Sequence, residues 1–113
     1  MTSRDLGYLE DMRVHASDAV SIARQLDLER FLADRPMQHA VIRCLTVIGE
    51  AANHVSSDTR IRLHQIEWGQ AVALRNVLVH EYQRIDLTRI WQIVQDDILP
   101  LLAELNAHLG TIE

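Results

Sequence analysis

Pro36-Met37-Gln38-His39-Ala40-Val41-Ile42-Arg43-Cys44-Leu45-Thr46-Val47-Ile48-Gly49-Glu50-Ala51-Ala52-Asn53-His54-Val55 decides the fold. Met37, Ala40/Val41, Cys44/Leu45, Ile48, Ala51/Ala52 and Val55 return every three or four positions and draw one wide apolar stripe, the signature of a helix with a buried face. Asp34 ahead of Arg35-Pro36 supplies an acceptor for the first free amides. It is followed by a proline in the first turn, where a missing N–H does no harm. Gly49 in mid-helix costs about 1 kcal/mol against alanine, so a neighbouring helix is expected to pack close there.

The same period runs outward in both directions. Toward the N-terminus, Leu6, Leu9, Met12, Ala16, Ala19, Ala23 and Leu26 predict a helix over residues 4–25. Asp27 then caps a short turn over Leu28–Ala33 with Phe31 as its apolar anchor. Toward the C-terminus, Ser56-Ser57-Asp58 breaks the pattern and opens a short segment over residues 59–64. A fourth helix opens near Glu67, with Trp68, Ala71/Val72, Arg75, Leu78/Val79 and Tyr82 on one face. Asp86 caps the last helix, whose stripe is Leu87, Ile90/Trp91, Val94, Ile98, Leu101/Leu102, Leu105 and Leu109. Pro100 lies inside it and is expected to kink it by removing the bond to the Asp96 carbonyl. Gly110 is the stop. The reading is all-α: one domain over residues 1–113, an antiparallel bundle of four main helices plus one or two short ones. The stripes are wide for so small a core, so a homodimer is expected to cover part of them.

Composition excludes several classes. With 113 residues and 48% of them hydrophobic, the chain is neither disordered nor too short for a core. No run is long and apolar enough to span a bilayer, and residues 1–5 lack a signal-peptide apolar stretch. A single cysteine, Cys44, fits a reducing cytoplasm, is expected to be an inert core thiol, and makes no internal disulfide. The net charge is −5 and all basic residues are arginines. A general nucleic-acid binder would be basic, so any nucleic acid would be met at a local site. Residues 60–89 hold Arg60, Arg62, Arg75, Arg84 and Arg89 against Glu67, Glu81 and Asp86. His15, His39, His54, His64, His80 and His108 contain no i,i+4 pair, which argues against a helical metal site. No glycine-rich phosphate loop is present, so no cofactor is expected.

Arg75-Asn76-Val77-Leu78-Val79-His80-Glu81-Tyr82 places polar groups on a face where apolar ones are expected. Such groups are costly unless paired, wet or functional. Arg75 and Tyr82 are seven residues apart and nearly in line, whereas His80 lies about 140° around the axis from Arg75. One straight helix would not aim Arg75 and His80 at the same atom. Either the helix ends or distorts near His80, or a two-fold dimer brings Arg75 of one copy to His80 of the other; the second arrangement is the favoured one. Arginine holds phosphate through parallel bonds and histidine moves protons near neutral pH. Together they suit metal-free RNA cleavage, with Asn76 orienting His80 across one helical turn. The plainer readings are that Arg75 pairs with Glu50, that His80 is a satisfied structural histidine, and that Tyr82, Trp68 and Trp91 are core residues.

This pattern resembles the HepT-like branch of the HEPN superfamily. Arg75-Asn76 with His80-x-Tyr82 matches its Arg-x4-His-x-Tyr motif. Val47-Ile48-Gly49-Glu50-Ala51-Ala52 resembles its Ile-Gly-Glu-Ala segment, and Ile66-Glu67-Trp68 its Ile-Pro-Trp, with Glu67 in place of proline. Ile85-Asp86 and Trp91 match the start of its last helix. The resemblance implies an all-α homodimer with the motif lining a cleft at the two-fold interface. It implies the toxin of a toxin–antitoxin pair, an endoribonuclease acting on RNA such as tRNA or mRNA. It also implies a partner, a minimal nucleotidyltransferase antitoxin that transfers AMP to the motif tyrosine. Carried over, Arg75 and His80 are catalytic, Asn76 supports them, Tyr82 accepts AMP, and Glu50 helps to hold Arg75. The alternative is a non-catalytic binding module for the nucleotidyltransferase.

Overall fold

A computed structural model of the chain describes residues 1–76 and 86–110. Among the described residues every regular element is helical, as expected.

Helix α1 (Ser3–Gln25) is capped by Thr2, whose Oγ1 accepts the Asp5 N–H at 3.0 Å. It buries Leu9, Met12, Ala16, Ala19 and Val20. Leu6 departs from the expected stripe and is 39% exposed, while Asp5 takes the inward place. Helix α2 (Leu28–Ala33) starts on Asp27, which accepts from the Arg30 N–H at 2.8 Å. Its anchor Phe31 is fully buried, with its ring 5.2 Å from that of Trp91. Burial of that side chain stabilises the fold by about 2–3 kcal/mol. Asp34 then serves two helices. Its N–H closes the end of α2 on the Phe31 carbonyl, and its carboxylate caps α3 (Arg35–His54) through the Met37 N–H.

Helix α3 buries Val41, Cys44, Leu45, Ile48, Ala51 and Ala52 of the stripe that the sequence draws, together with Gly49, while Met37 and Ala40 are half-buried. Burial, and secondarily the charge of Asp18, push the Cys44 thiol up to about 11, so it stays protonated at neutral pH. Helix α4 (Ser57–Arg62) begins two residues earlier than the spacing predicts, because Ser56 is its cap. Helix α5 (Trp68–Ala73) opens after Glu67, as expected, but tightens into a 3₁₀ turn over Leu74–Asn76. The remainder of the expected fourth helix, with Leu78, Val79 and Tyr82, lies outside the described residues.

The last helix has three parts. Helix α6 (Leu87–Ile93) is capped by Asp86, a π-helical turn covers Val94–Ile98, and α7 (Leu99–Leu109) ends at Gly110, whose φ is 86°. The expected disturbance at Pro100 takes the form of this π turn, one turn before the proline. The Leu99 N–H reaches back five residues to the Val94 carbonyl. Pro100 itself falls in the first turn of α7, where its missing N–H is tolerated.

Helix α1 packs on α3 and on α7, α3 on α5 and the 3₁₀ turn, and α2 on α3 and α6. Their buried faces meet in one core. No helix among the described residues is long and apolar enough to cross a membrane.

Candidate functional site

The site is built where α3 meets the 3₁₀ turn. Gly49 on α3 faces the backbone of Arg75. A Cβ at position 49 would stand 2.3 Å from the Arg75 amide nitrogen and 2.9 Å from its Cα. The close neighbour expected from a mid-helix glycine is therefore the backbone of Arg75. The tightened turn also decides which side chain faces the core. Leu74 is 4% exposed and Arg75 is half-buried on the flank. The apolar-stripe position that a regular helix gives to Arg75 is thus taken by its neighbour.

Arg75 Nε is buried without a hydrogen-bond partner among the described residues. Glu50 is not its anchor. That carboxylate is exposed on α3, and the ion pairs among the described residues are Arg13–Glu10 and His108–Glu104. The outward turn of Glu50 follows from its place: Gly49 and Ala51 on either side of it face the core. Asn76 ends the 3₁₀ turn and is exposed. His80 and Tyr82 lie outside the described residues, as does Arg84.

Other arginines of the locally basic stretch have different settings. Arg60 donates through Nε to the Val55 carbonyl at 3.2 Å and through Nη2 to the Ala52 carbonyl at 2.9 Å. Its guanidinium lies 5.6 Å from the centre of the Trp68 ring, whose own N–H donates to the Leu63 carbonyl. Arg60 therefore closes the C-terminal end of α3, where carbonyls lack helical partners and the helix dipole favours a cation. Arg62 and Arg89 are exposed. Trp68 and Trp91 pack against the core, as the plainer reading expects.

One polar residue escaped the sequence reading. Asp5 is 3% exposed and accepts from Ser56 Oγ at 2.6 Å, Thr59 Oγ1 at 2.5 Å and the Ser56 N–H at 3.1 Å. Hydrogen bonds from Ser56 and Thr59 hold its carboxyl below the usual carboxylate range. The partners lie more than fifty residues away in the chain, so no local spacing announces them. This cluster ties the start of α1 to the start of α4.

A cavity of about 180 Å³ opens between α5 and the last helix, over a floor that includes Ile66 and Leu101. Glu67, Asp96, Asp97 and Glu104 stand among its lining residues. Its carboxylates make it a poor seat for RNA phosphate, although Leu74, next to Arg75, also lines it. Among the described residues no three of His, Cys, Asp and Glu converge in a way that would hold a metal ion.

The family model described as "Ribonuclease HepT-like" matches residues 12–108. The chain belongs to the HepT-like ribonuclease family. A Methanocaldococcus jannaschii protein named "Putative RNase MJ1380" is 33% identical over 107 residues, which are 94% of this chain and 98% of the relative. A Thermococcus cleftensis protein named "Probable ribonuclease HepT" is 37% identical over 92 residues, 80% of this chain and 83% of the relative. No solved structure matches. The HepT-like match runs from the middle of α1 into the last turn of α7 and includes both Gly49 and Arg75. It bears out the resemblance carried by the motif and the enzyme class, a ribonuclease.

Proposed function

We propose that this HepT-like chain is a metal-independent endoribonuclease, the toxin of a toxin–antitoxin pair, built as one HEPN-like domain over residues 1–113. It acts as a two-fold dimer in which Arg75 and His80 face one cleft. The observation that carries the reading is the setting of Arg75. Its backbone is pressed against Gly49, and its guanidinium finds no ion-pair partner among the described residues. In a HepT-like chain this supports a phosphate ligand, which a guanidinium meets with two parallel bonds.

In the reaction the ribose 2′-oxygen forms a bond to the adjacent phosphorus and the bond from phosphorus to the 5′-oxygen breaks. The 2′-hydroxyl proton leaves to a base and the 5′-oxygen gains a proton. His80 takes or supplies a proton, and Arg75 stabilises the charge that develops on the phosphoryl oxygens. Asn76 orients His80. Glu50 acts from the turn of α3 that touches Arg75, as an exposed carboxylate and not as a buried ion-pair partner. A minimal nucleotidyltransferase antitoxin transfers AMP from ATP to Tyr82: the phenol oxygen, losing its proton, bonds to the α-phosphorus and pyrophosphate leaves. The added nucleotide brings bulk and negative charge to the cleft and competes with RNA phosphate for Arg75.

The test is cleavage of defined RNAs, including tRNA, by the purified unmodified chain with EDTA present, beside His80→Ala. Cleavage by the wild type alone supports the assignment, and a cleaving His80→Ala protein removes His80 from the mechanism. The second reading, a non-catalytic module that binds the nucleotidyltransferase, is favoured by the net charge of −5. It predicts a tight complex with that enzyme and no cleavage by either protein.

A further inference from the structure

We infer that Gly49 is a positioning residue for the ribonuclease reaction, acting through the backbone of Arg75; this rests on the reading of Arg75 as the phosphate-binding arginine. Glycines also stand on α1 and α5, at Gly7 and Gly69, and a Cβ at either would meet nothing within 4 Å. Helical glycine without a packing reason only weakens a helix. At Gly49 the packing reason is evident: the nearest atoms to the missing Cβ are N, Cα and Cβ of Arg75.

Two contacts therefore fix the turn that carries the arginine. Leu74 plugs it into the core from one side, and the bare surface of α3 at Gly49 meets it from the other. The buried floor beneath Gly49 is firm, since Ile48 and Ala52 are fully buried. Arg75 thus reaches solvent from a backbone that is clamped, while its guanidinium is not tied down by an ion pair with the described residues. A methyl group at position 49 would have to part the two backbones by about 1 Å to restore ordinary contact at 3.4 Å. Displacement on that scale costs about 10²-fold in rate when it moves a group that must meet a transition state.

The test is a double-mutant cycle in single-turnover RNA cleavage, with Gly49→Ala, Arg75→Ala and the double variant. Steady-state measurement of Gly49→Ala and a Gly69→Ala control accompany it. Gly49→Ala is expected to lower kcat by about 10²-fold with KM within about threefold. In the Arg75→Ala background the same substitution is expected to cost less than about twofold, because the residue it acts through is gone. Gly69→Ala keeps full activity. An equal loss in both backgrounds, or an unchanged rate in Gly49→Ala, overturns the inference. Should Gly49→Ala fail to fold, hydrogen exchange on the wild-type protein decides. The Arg75 amide is expected to exchange as slowly as the Ile48 amide of α3; exchange as fast as an open loop, with α3 still protected, overturns the clamp. A wild type that cleaves no RNA sinks the ribonuclease reading instead, and the exchange measurement still judges the clamp.

Discussion

Arg60 and Arg75 both lie against α3, and the helix treats them in opposite ways. Arg60 meets the open C-terminal end, where it closes on the carbonyls of Ala52 and Val55 and on the face of Trp68. Arg75 meets α3 about one turn earlier, and what touches the helix there is its backbone, at Gly49. One guanidinium is used up in holding the fold. The other keeps a buried Nε without a hydrogen-bond partner among the described residues. Asp5 belongs with Arg60: it is buried and satisfied by Ser56 and Thr59. The contrast separates polar groups whose partners lie within the fold from one whose Nε, like that of Arg13, has none among the described residues.

The most severe way to break the contrast is Arg75→Ala. RNA cleavage is expected to fall by about 10²–10³-fold, while thermal melting shows no loss of stability, because the fold draws no described hydrogen bond or ion pair from that side chain. A melting temperature that drops as far as the activity would place Arg75 with Arg60. Next in size is Ser56→Ala, which removes the cap of α4 and a bond to Asp5. It should cost about 1–2 kcal/mol in urea unfolding, with the cleavage rate of the folded protein unchanged. Arg60→Ala should cost about 1 kcal/mol for the lost helix-end contacts, again without touching the rate; a rate loss would bring Arg60 into the RNA site.

Acid sharpens the comparison further. The carboxyl of Asp5 titrates below its usual value in the folded chain. Its contribution is therefore complete above the unfolded value of about 3.9 and is lost as pH falls through the lower folded value. Unfolding measured against pH should show stability falling below about pH 4, and Asp5→Asn should flatten that fall. The smallest expected effect is Gly69→Ala, a gain of about 0.5–1 kcal/mol at a helical glycine with open space around it.

Much of the fold is legible in the residues, and the failures are instructive. Asp27, Asp34 and Asp86 cap helices as their spacing predicts, because capping is a contact over three residues. The stripe of α3 is buried from Val41 onward, with Met37 and Ala40 half-buried, and Gly49 signals a close neighbour. Asp5 is invisible to local spacing because its partners, Ser56 and Thr59, come from the start of α4, more than fifty residues away. The 3₁₀ turn at Leu74–Asn76 was missed because Ala73-Leu74-Arg75-Asn76 carries no glycine or proline to announce it. That turn exchanges Leu74 for Arg75 at the core, an outcome periodicity does not reveal. The pairing of Arg75 with Glu50 rests on a carboxylate set between apolar neighbours beside Gly49, but Glu50 is exposed. His80 and Tyr82 remain assigned by motif alone.

Cys44 gives the bundle a built-in gauge. It is the chain's single thiol, sealed beneath α3 and held protonated, so an alkylating dye should ignore the closed protein. Each labelling event would then record an opening of the interior, and its rate would read the breathing of the bundle directly. A probe thiol placed on the surface would react alone, and the molecule could be tagged there without first removing its native cysteine.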